Sequence, residues 1–434
     1  MDKYTVYGGK VDRVIDGHMK VIVGELKKKL GANLVSVVLF GGFARGEGSV
    51  LVKKGKVVPL NDYDVVVVTK NRIEDKFLEA LSLDLNKKLG IESRFSFDKG
   101  SNIMNFYTDF KNFTKEEFLR LPPLIKYYEL RHSGRVLQGE DVLSKMPNYK
   151  LREVPVMDGL RDLFNRMALL VDYFRIGYFE KMSEREKETV IVFVSKAYLA
   201  ICEALLIASG RFVCSYEERA KIFAKNFAID YPKLAKELPD LAKRIDYFTE
   251  FKLKPHFDQK NPLDWWFKVR DDILIASRYF LKEALGVKAI DNKDLGKKVE
   301  DLGFNFLEPY IELYLMEKAP FLNNRFLRRI FYPLAVLKFN LSFFREVWRL
   351  KGFYPRAVLS MVDPNLRIFG VVPILLMSIS RDGRVDLRLL RKACGELEKL
   401  YPRPLGFAFD DKKDLNKVYE YSSDVYRIYQ FLKV

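Results

Sequence analysis

Residues Val37–Val68 read VVLFGGFARGEGSVLVKKGKVVPLNDYDVVVV. The stretch is bounded by two short β-branched runs, Val35–Phe40 (VSVVLF) and Asp64–Val68 (DVVVV), the pattern of buried strands. Between them stand a Gly41-Gly42 pair, the segment Phe43-Ala44-Arg45-Gly46-Glu47, and then Asn61-Asp62-Tyr63-Asp64. A glycine pair after a strand lets backbone N–H groups approach a phosphate with no Cβ in the way. In an extended segment side chains alternate faces, so Asp62 and Asp64 share one face and Tyr63 takes the other. Two carboxylates on one face repel unless a cation sits between them. Hard divalent ions such as Mg²⁺ take oxygen ligands, commonly one or two carboxylates plus substrate phosphates.

Two other phosphate motifs fail here. Gly41 and Gly46 have the glycine spacing of a P-loop, but Glu47 stands where that motif needs a lysine. A carboxylate cannot supply the positive charge. The dinucleotide pattern Gly-x-Gly-x-x-Gly is broken by Phe43.

Gly41-Gly42 followed by Asp62-Tyr63-Asp64 resembles the signature of the DNA-polymerase-β-like nucleotidyltransferase superfamily: strand, glycine turn, acid-x-acid pair, then a third acid on a later strand. The Ala44-Arg45-Gly46 continuation is similar to that of minimal and kanamycin-type members. The resemblance is strong over about residues 35–100 and extends more loosely to about 285. It departs from the family in carrying Gly42 where many members have a phosphate-contacting serine, and in the long stretch from Gly42 to Asp62. The surplus, Val50–Leu60 (VLVKKGKVVPL), reads as a hairpin around Lys54-Gly55.

What the resemblance implies is an Mg²⁺- or Mn²⁺-dependent enzyme moving a nucleoside monophosphate from an NTP to an acceptor hydroxyl. Asp62 and Asp64 would be metal-binding and catalytic. Strand-like Ile91–Phe97 offers Glu92 as the third acid, with Asp98 just beyond as the alternative. Gly41, Gly42 and Arg45 would bind nucleotide, Arg45 either reaching a phosphate or bracing the acids. By the same resemblance Lys196 and Arg219 would face the triphosphate from a helical second domain. The acceptor is read as RNA, a small molecule or a protein. A degenerate fold acting as a nucleotide- or nucleic-acid-binding module, antitoxin-like, is the reading from another class.

The 434-residue chain has 75 Lys+Arg against 58 Asp+Glu, a net charge of +17, which favours an anionic partner. With 48% hydrophobic and 14% aromatic residues it is neither disordered nor low in complexity. The excess is concentrated: residues 321–392 hold 14 basic and 4 acidic residues, and Arg325, Arg328 and Arg329 interleave with Phe326, Phe331, Tyr332 and Phe339. That composition suits phosphate contact and base stacking, so RNA is the expected partner there, unless the aromatics pack inward and leave the arginines as a solvated face. Three scattered cysteines, Cys202, Cys214 and Cys394, form neither a disulfide framework nor zinc spacing, and a cytoplasmic location is expected. No membrane segment is expected, the longest uncharged apolar runs being Val65–Thr69 and Ile368–Ser380. Only three glutamines occur, a compositional hint of a thermophilic source. His18, His132 and His256 have no companion ligand nearby in sequence and read as surface or capping residues.

The expected fold class is an α+β N-terminal nucleotidyltransferase domain (residues 1–150), a small mixed sheet with flanking helices. A mostly α-helical bundle (151–285) and a basic, mainly helical C-terminal domain (286–434) follow. Val11–Leu30 reads as an amphipathic helix ended by Gly31, Leu160–Phe174 and Val190–Ser209 as helices, and Arg367–Ser380 as irregular or strand-like.

Overall fold

The computed structural model describes residues 3–53, 55–90, 108–288, 291–292, 294–306, 364–400 and 412–431, with isolated positions between 324 and 341. It is mixed α+β, with a small mixed sheet and many helices. Two compact units are present. One comprises residues 1–155, 210–226 and 242–258; the other takes 156–209, 227–241 and 259–434. The division differs from three consecutive blocks. Two pieces of the helical stretch belong with the N-terminal sheet, and the residues after 286 join the remaining helices.

In the first unit α1 (Gly9–Leu30) leads into β1 (Leu34–Phe40) and the one-turn helix α2 (Gly41–Ala44). The hairpin β2 (Val50–Lys53) and β3 (Lys56–Pro59) follows, then β4 (Tyr63–Thr69), α3 (Asp75–Leu89), β5 (Thr108–Thr114), α4 (Lys115–Phe118), α5 (Ile125–Ser133) and β6 (Arg135–Gly139). The four-stranded sheet runs β5-β4-β1-β6, with β4 and β5 parallel and the other pairs antiparallel. Val37, Leu39, Val65 and Val67 point from the sheet into a cluster with Ile15, Met19, Ile22 and Leu26 of α1 and Leu81 and Leu85 of α3. Val38, Val66 and Val68 are buried as well. Burial on both faces is why these strands read as unbroken valine runs rather than an alternation.

β1 and β4 are in register so that Phe40 pairs with Asp64. The glycine turn therefore leaves the sheet beside the point where the acidic segment enters it. The inserted hairpin lies between them, as the surplus at Val50–Leu60 predicts.

The second unit is helical. Its long elements are α6 (Val156–Asp172), α7 (Glu184–Ala208) and the helix Pro262–Tyr279. Pro364–Met377, Leu387–Leu397 and Lys412–Phe431 follow. Arg367–Ser380 is therefore mostly helix; a short continuous apolar run carries no periodicity that separates strand from helix. Glu184–Ala208 is long and apolar enough to cross a bilayer, with 78% of its apolar window buried within the protein. Lys196 and Glu203 interrupt the run and hide it from a search for uncharged stretches. Burial of this kind is what a core helix shows. Trp266 is 1% exposed and donates its indole N–H to the Leu170 carbonyl at 3.1 Å.

In the basic segment Arg325, Arg328 and Phe339 lie outside the described residues. Phe326 and Phe331 are exposed, while Tyr332 packs edge-on against Phe304. The aromatics here thus divide between surface and packing.

Gly159 allows α6 and α7 their close approach: a Cβ there would lie 3.0 Å from Ala204 Cα. Gly159→Leu is expected to cost about 1–3 kcal/mol by overpacking. A thermal melt checks this, and an unchanged midpoint would contradict the close contact.

Candidate active site

The first unit contains a cavity of about 200 Å³ lined by Gly41, Gly42, Asp62, Asp64, Tyr216 and Lys252 among others. It is built from the glycine turn outward. Gly41 has φ 70°, a conformation L side chains rarely adopt, and a Cβ there would overlap the Asp64 carboxylate. Glycine is required twice over, by backbone angle and by space. The turn is closed by Glu47 N–H donating to the Gly42 carbonyl at 2.8 Å.

Asp62 and Asp64 both line the cavity, as their alternation predicts. Burial pushes the Asp64 carboxyl up to about 7. Lys111 and Lys252 pull it down, while the charges of Asp109 and Asp62 push it further up. Asp109, which the sequence pattern does not single out, is not among the cavity-lining residues. It stands on β5 directly opposite Asp64 in the parallel register, with Lys111 Nζ 3.6 Å from its carboxylate. Glu92 and Asp98 lie outside the described residues. A polar strand, Thr108–Thr114 (TDFKNFT), gives little hydrophobic signal. What holds it is Asn112, whose amide donates to Val67 O and Thr69 Oγ1 and accepts from Ile73 N–H.

The donor set is hard and acidic, which fits Mg²⁺ or Mn²⁺. Asp62 and Asp64 supply two carboxylates to one cavity. Among the described residues no three His, Cys, Asp or Glu side chains converge to hold a metal ion by themselves. Two carboxylates completed by phosphate oxygens match how Mg²⁺ is usually held.

Arg45 lines the same cavity. Its side chain is 4% exposed and pairs with Glu47 at 3.4 Å and Glu129 at 3.1 Å, its guanidinium 4.7 Å from the Tyr216 ring centre. Burial opposes its charge, but Glu129, Tyr216 and Glu47 outweigh that and hold its pKa above the ordinary value. Glu47, the residue that excludes a P-loop, accepts from Ser215 Oγ at 2.7 Å and from the backbone N–H of Tyr216 at 2.9 Å. It also accepts from Glu217 N–H at 3.3 Å. It therefore caps α8 (Tyr216–Asp230) from a distant point in the chain.

Arg219 is buried beside the Glu129 carboxylate as well. Its side chain is 3% exposed, pairs with Glu129, and donates to the carbonyls of Val213 and Cys214. It holds the 213–216 turn together and is not among the cavity-lining residues. Lys196 lies on α7 in the other unit, over the Phe193 ring, and does not line the cavity.

The cavity's lysine is Lys252, on the helix Leu241–Leu253. Its ammonium donates to Asn61 Oδ1 at 2.6 Å and sits 5.7 Å from the Tyr216 ring centre, while its carbonyl accepts from Ser49 Oγ. Nothing local in the sequence marks Lys252, since only tertiary folding brings it into one cavity with Asp62. His18 also departs from a surface role. It is half-buried, its Nδ1 is 2.7 Å from the Tyr63 hydroxyl, and burial lowers its pKa. No protein-family model and no curated protein matches the chain.

The raised Asp64 pKa has a consequence for stability. The protonated carboxyl is favoured in the fold, so its contribution is fully present below the ordinary 3.8 and is lost as pH rises through about 7. Asp64→Asn imitates the protonated form. In metal-free protein its thermal midpoint should exceed that of wild type increasingly from about pH 4 to about pH 7 and by a constant margin above that, on a scale of about 1.4 kcal/mol per pH unit at most. Parallel pH profiles for the two proteins would contradict the burial of this charge.

Proposed function

We propose that the chain is a divalent-metal-dependent nucleotidyltransferase, moving a nucleoside monophosphate from an NTP to an acceptor hydroxyl. The observation that carries this reading is the Asp64 carboxylate set against the Gly41 turn, with Asp62 in the same cavity and Asp109 opposite on the next strand. Asp62 and Asp64 would hold the ion that accompanies the triphosphate. When bound, the ion neutralises phosphate charge and favours departure of pyrophosphate. Backbone N–H groups of the glycine turn would contact the β- and γ-phosphates, and Lys252 would supply a further positive charge at the cavity wall.

In the transfer itself the acceptor oxygen bonds to the α-phosphorus as the bond to pyrophosphate breaks. The hydroxyl proton would pass to a carboxylate, and Asp109, the register partner of Asp64 though not a cavity-lining residue, would be the candidate. Arg45, Glu47, Glu129 and Arg219 act as positioning residues in this scheme. They fix the start of α8, and with it Tyr216, against the cavity.

A second reading is a catalytically silent nucleotide-binding module. It is favoured by the lack, among the described residues, of three converging ligand side chains. One experiment separates the two: incubation of the full chain with each α-labelled NTP, Mg²⁺ or Mn²⁺, and total RNA. Wild type should transfer label to RNA, another added acceptor or the protein. Asp62→Asn/Asp64→Asn should lose at least about 10²-fold, the scale of removing a group that stabilises developing charge. Equal labelling by both proteins would refute the site, and NTP binding with no labelling by wild type would favour the silent module.

A further inference from the structure

Beside the cavity the sheet carries a cation of its own. Phe40, Asp64 and Asp109 are register partners on β1, β4 and β5, so they form one row across three adjacent strands. Leu39, Tyr63, Val65 and Phe110 turn into the hydrophobic cluster, which leaves Phe40, Asp64, Asp109 and Lys111 on the opposite face. Phe40 and Asp64 line the cavity, and Asp109 and Lys111 extend the row beyond it.

Two carboxylates on neighbouring strands, whose backbones are about 4.8 Å apart, repel each other and call for a positive charge. Lys111 supplies one. Its Nζ is 3.6 Å from Asp109 Oδ2 and 5.6 Å from the centre of the Phe40 ring. Phe40 and Asp109 flank Asp64 on its two sides, so an ammonium within reach of both lies on the Asp64 side of Asp109. Among the charges that favour the ionised form of Asp64, that of Lys111 is the largest. The pair with Asp109 is longer than a hydrogen bond, so Lys111 lends charge to the row without a fixed donor contact there. The aromatic face of Phe40 attracts the ammonium from the other side.

We infer that the site takes one divalent ion and not two, because the Lys111 ammonium holds the second cation position, between Asp64 and Asp109. Two-ion sites for phosphoryl transfer space their cations about 3.5–4 Å apart. Facing carboxylates on adjacent strands offer such a second position, and here the side chain two residues after Asp109 fills it. The divalent ion is thereby left to Asp62 and Asp64, the two acids that line the cavity. The inference rests on the nucleotidyltransferase reading for the ion itself and adds the residue that limits the number of ions.

The test counts Mn²⁺ bound to the full chain, by equilibrium dialysis against a non-hydrolysable NTP analogue at saturation. Wild type should bind one ion per chain. Lys111→Met, which keeps the stem and removes the charge, should bind two, and its electron paramagnetic resonance should show a spin-coupled pair. Lys111→Gln should behave as Lys111→Met does, and Lys111→Arg should stay at one ion. The Lys111 side chain is 37% exposed, so none of these substitutions opens a buried cavity.

Two ions bound to wild type would overturn the inference and leave the nucleotidyltransferase reading standing. A single ion in both Lys111→Met and Lys111→Gln would also overturn it, since the facing carboxylates would then hold nothing once the ammonium is gone. If neither wild type nor any variant binds Mn²⁺ with the analogue, the metal site itself fails and the inference with it.

Discussion

The Asp64 carboxylate occupies space that a side chain at position 41 would need. That close approach ties the end of β1 to the start of β4, since Phe40 and Asp64 are also register partners in the sheet. The valine runs behind them, buried on both faces, set this register through the hydrophobic core. A slip of one residue would turn Asp64 into the core and Val65 toward the cavity. The sheet's apolar packing and the placement of the acidic site are therefore one constraint.

Around this point the structure spends buried charge on fixing shape. Arg45 and Arg219 both pair with Glu129, and Glu47 bridges Arg45 to the start of α8. Buried ion pairs add little net stability, yet removing one partner strands the other at a cost of about 3–5 kcal/mol. Their effect here is specificity of arrangement. The start of α8 is held so that Tyr216 faces the cavity, with Lys252 beside it. Both arginines are buried beside Glu129, Arg45 lining the cavity and Arg219 not, and Lys252, which has no local signature, lines it with the acids.

The part of the site legible in the sequence was the part made by neighbours along the chain. Gly41-Gly42 follows a strand and Asp62 and Asp64 alternate into another, so period and turn chemistry place them without tertiary knowledge. The hairpin at Val50–Leu60 was readable for the same reason. Asp109 was not, because a parallel strand is joined through a long crossover and its register is fixed only by pairing with β4. β5 also buries Asn112 where a reader looks for an apolar residue. The two-unit division was hidden because residues 210–226 and 242–258 leave a helical stretch to complete the sheet unit. The apolar run at Pro364–Met377 has no periodicity to declare it helical.

The account stands on Asp62 and Asp64 acting together as a divalent-ion site for a nucleotide's phosphates. Electron paramagnetic resonance of Mn²⁺, titrated into the full chain with a non-hydrolysable NTP analogue, tests it most directly. A bound Mn²⁺ signal that requires the analogue, shows coupling to its phosphorus nuclei and disappears in Asp64→Asn is the predicted result. Mn²⁺ binding that is the same in wild type and Asp64→Asn, or that shows no phosphorus coupling, would contradict it.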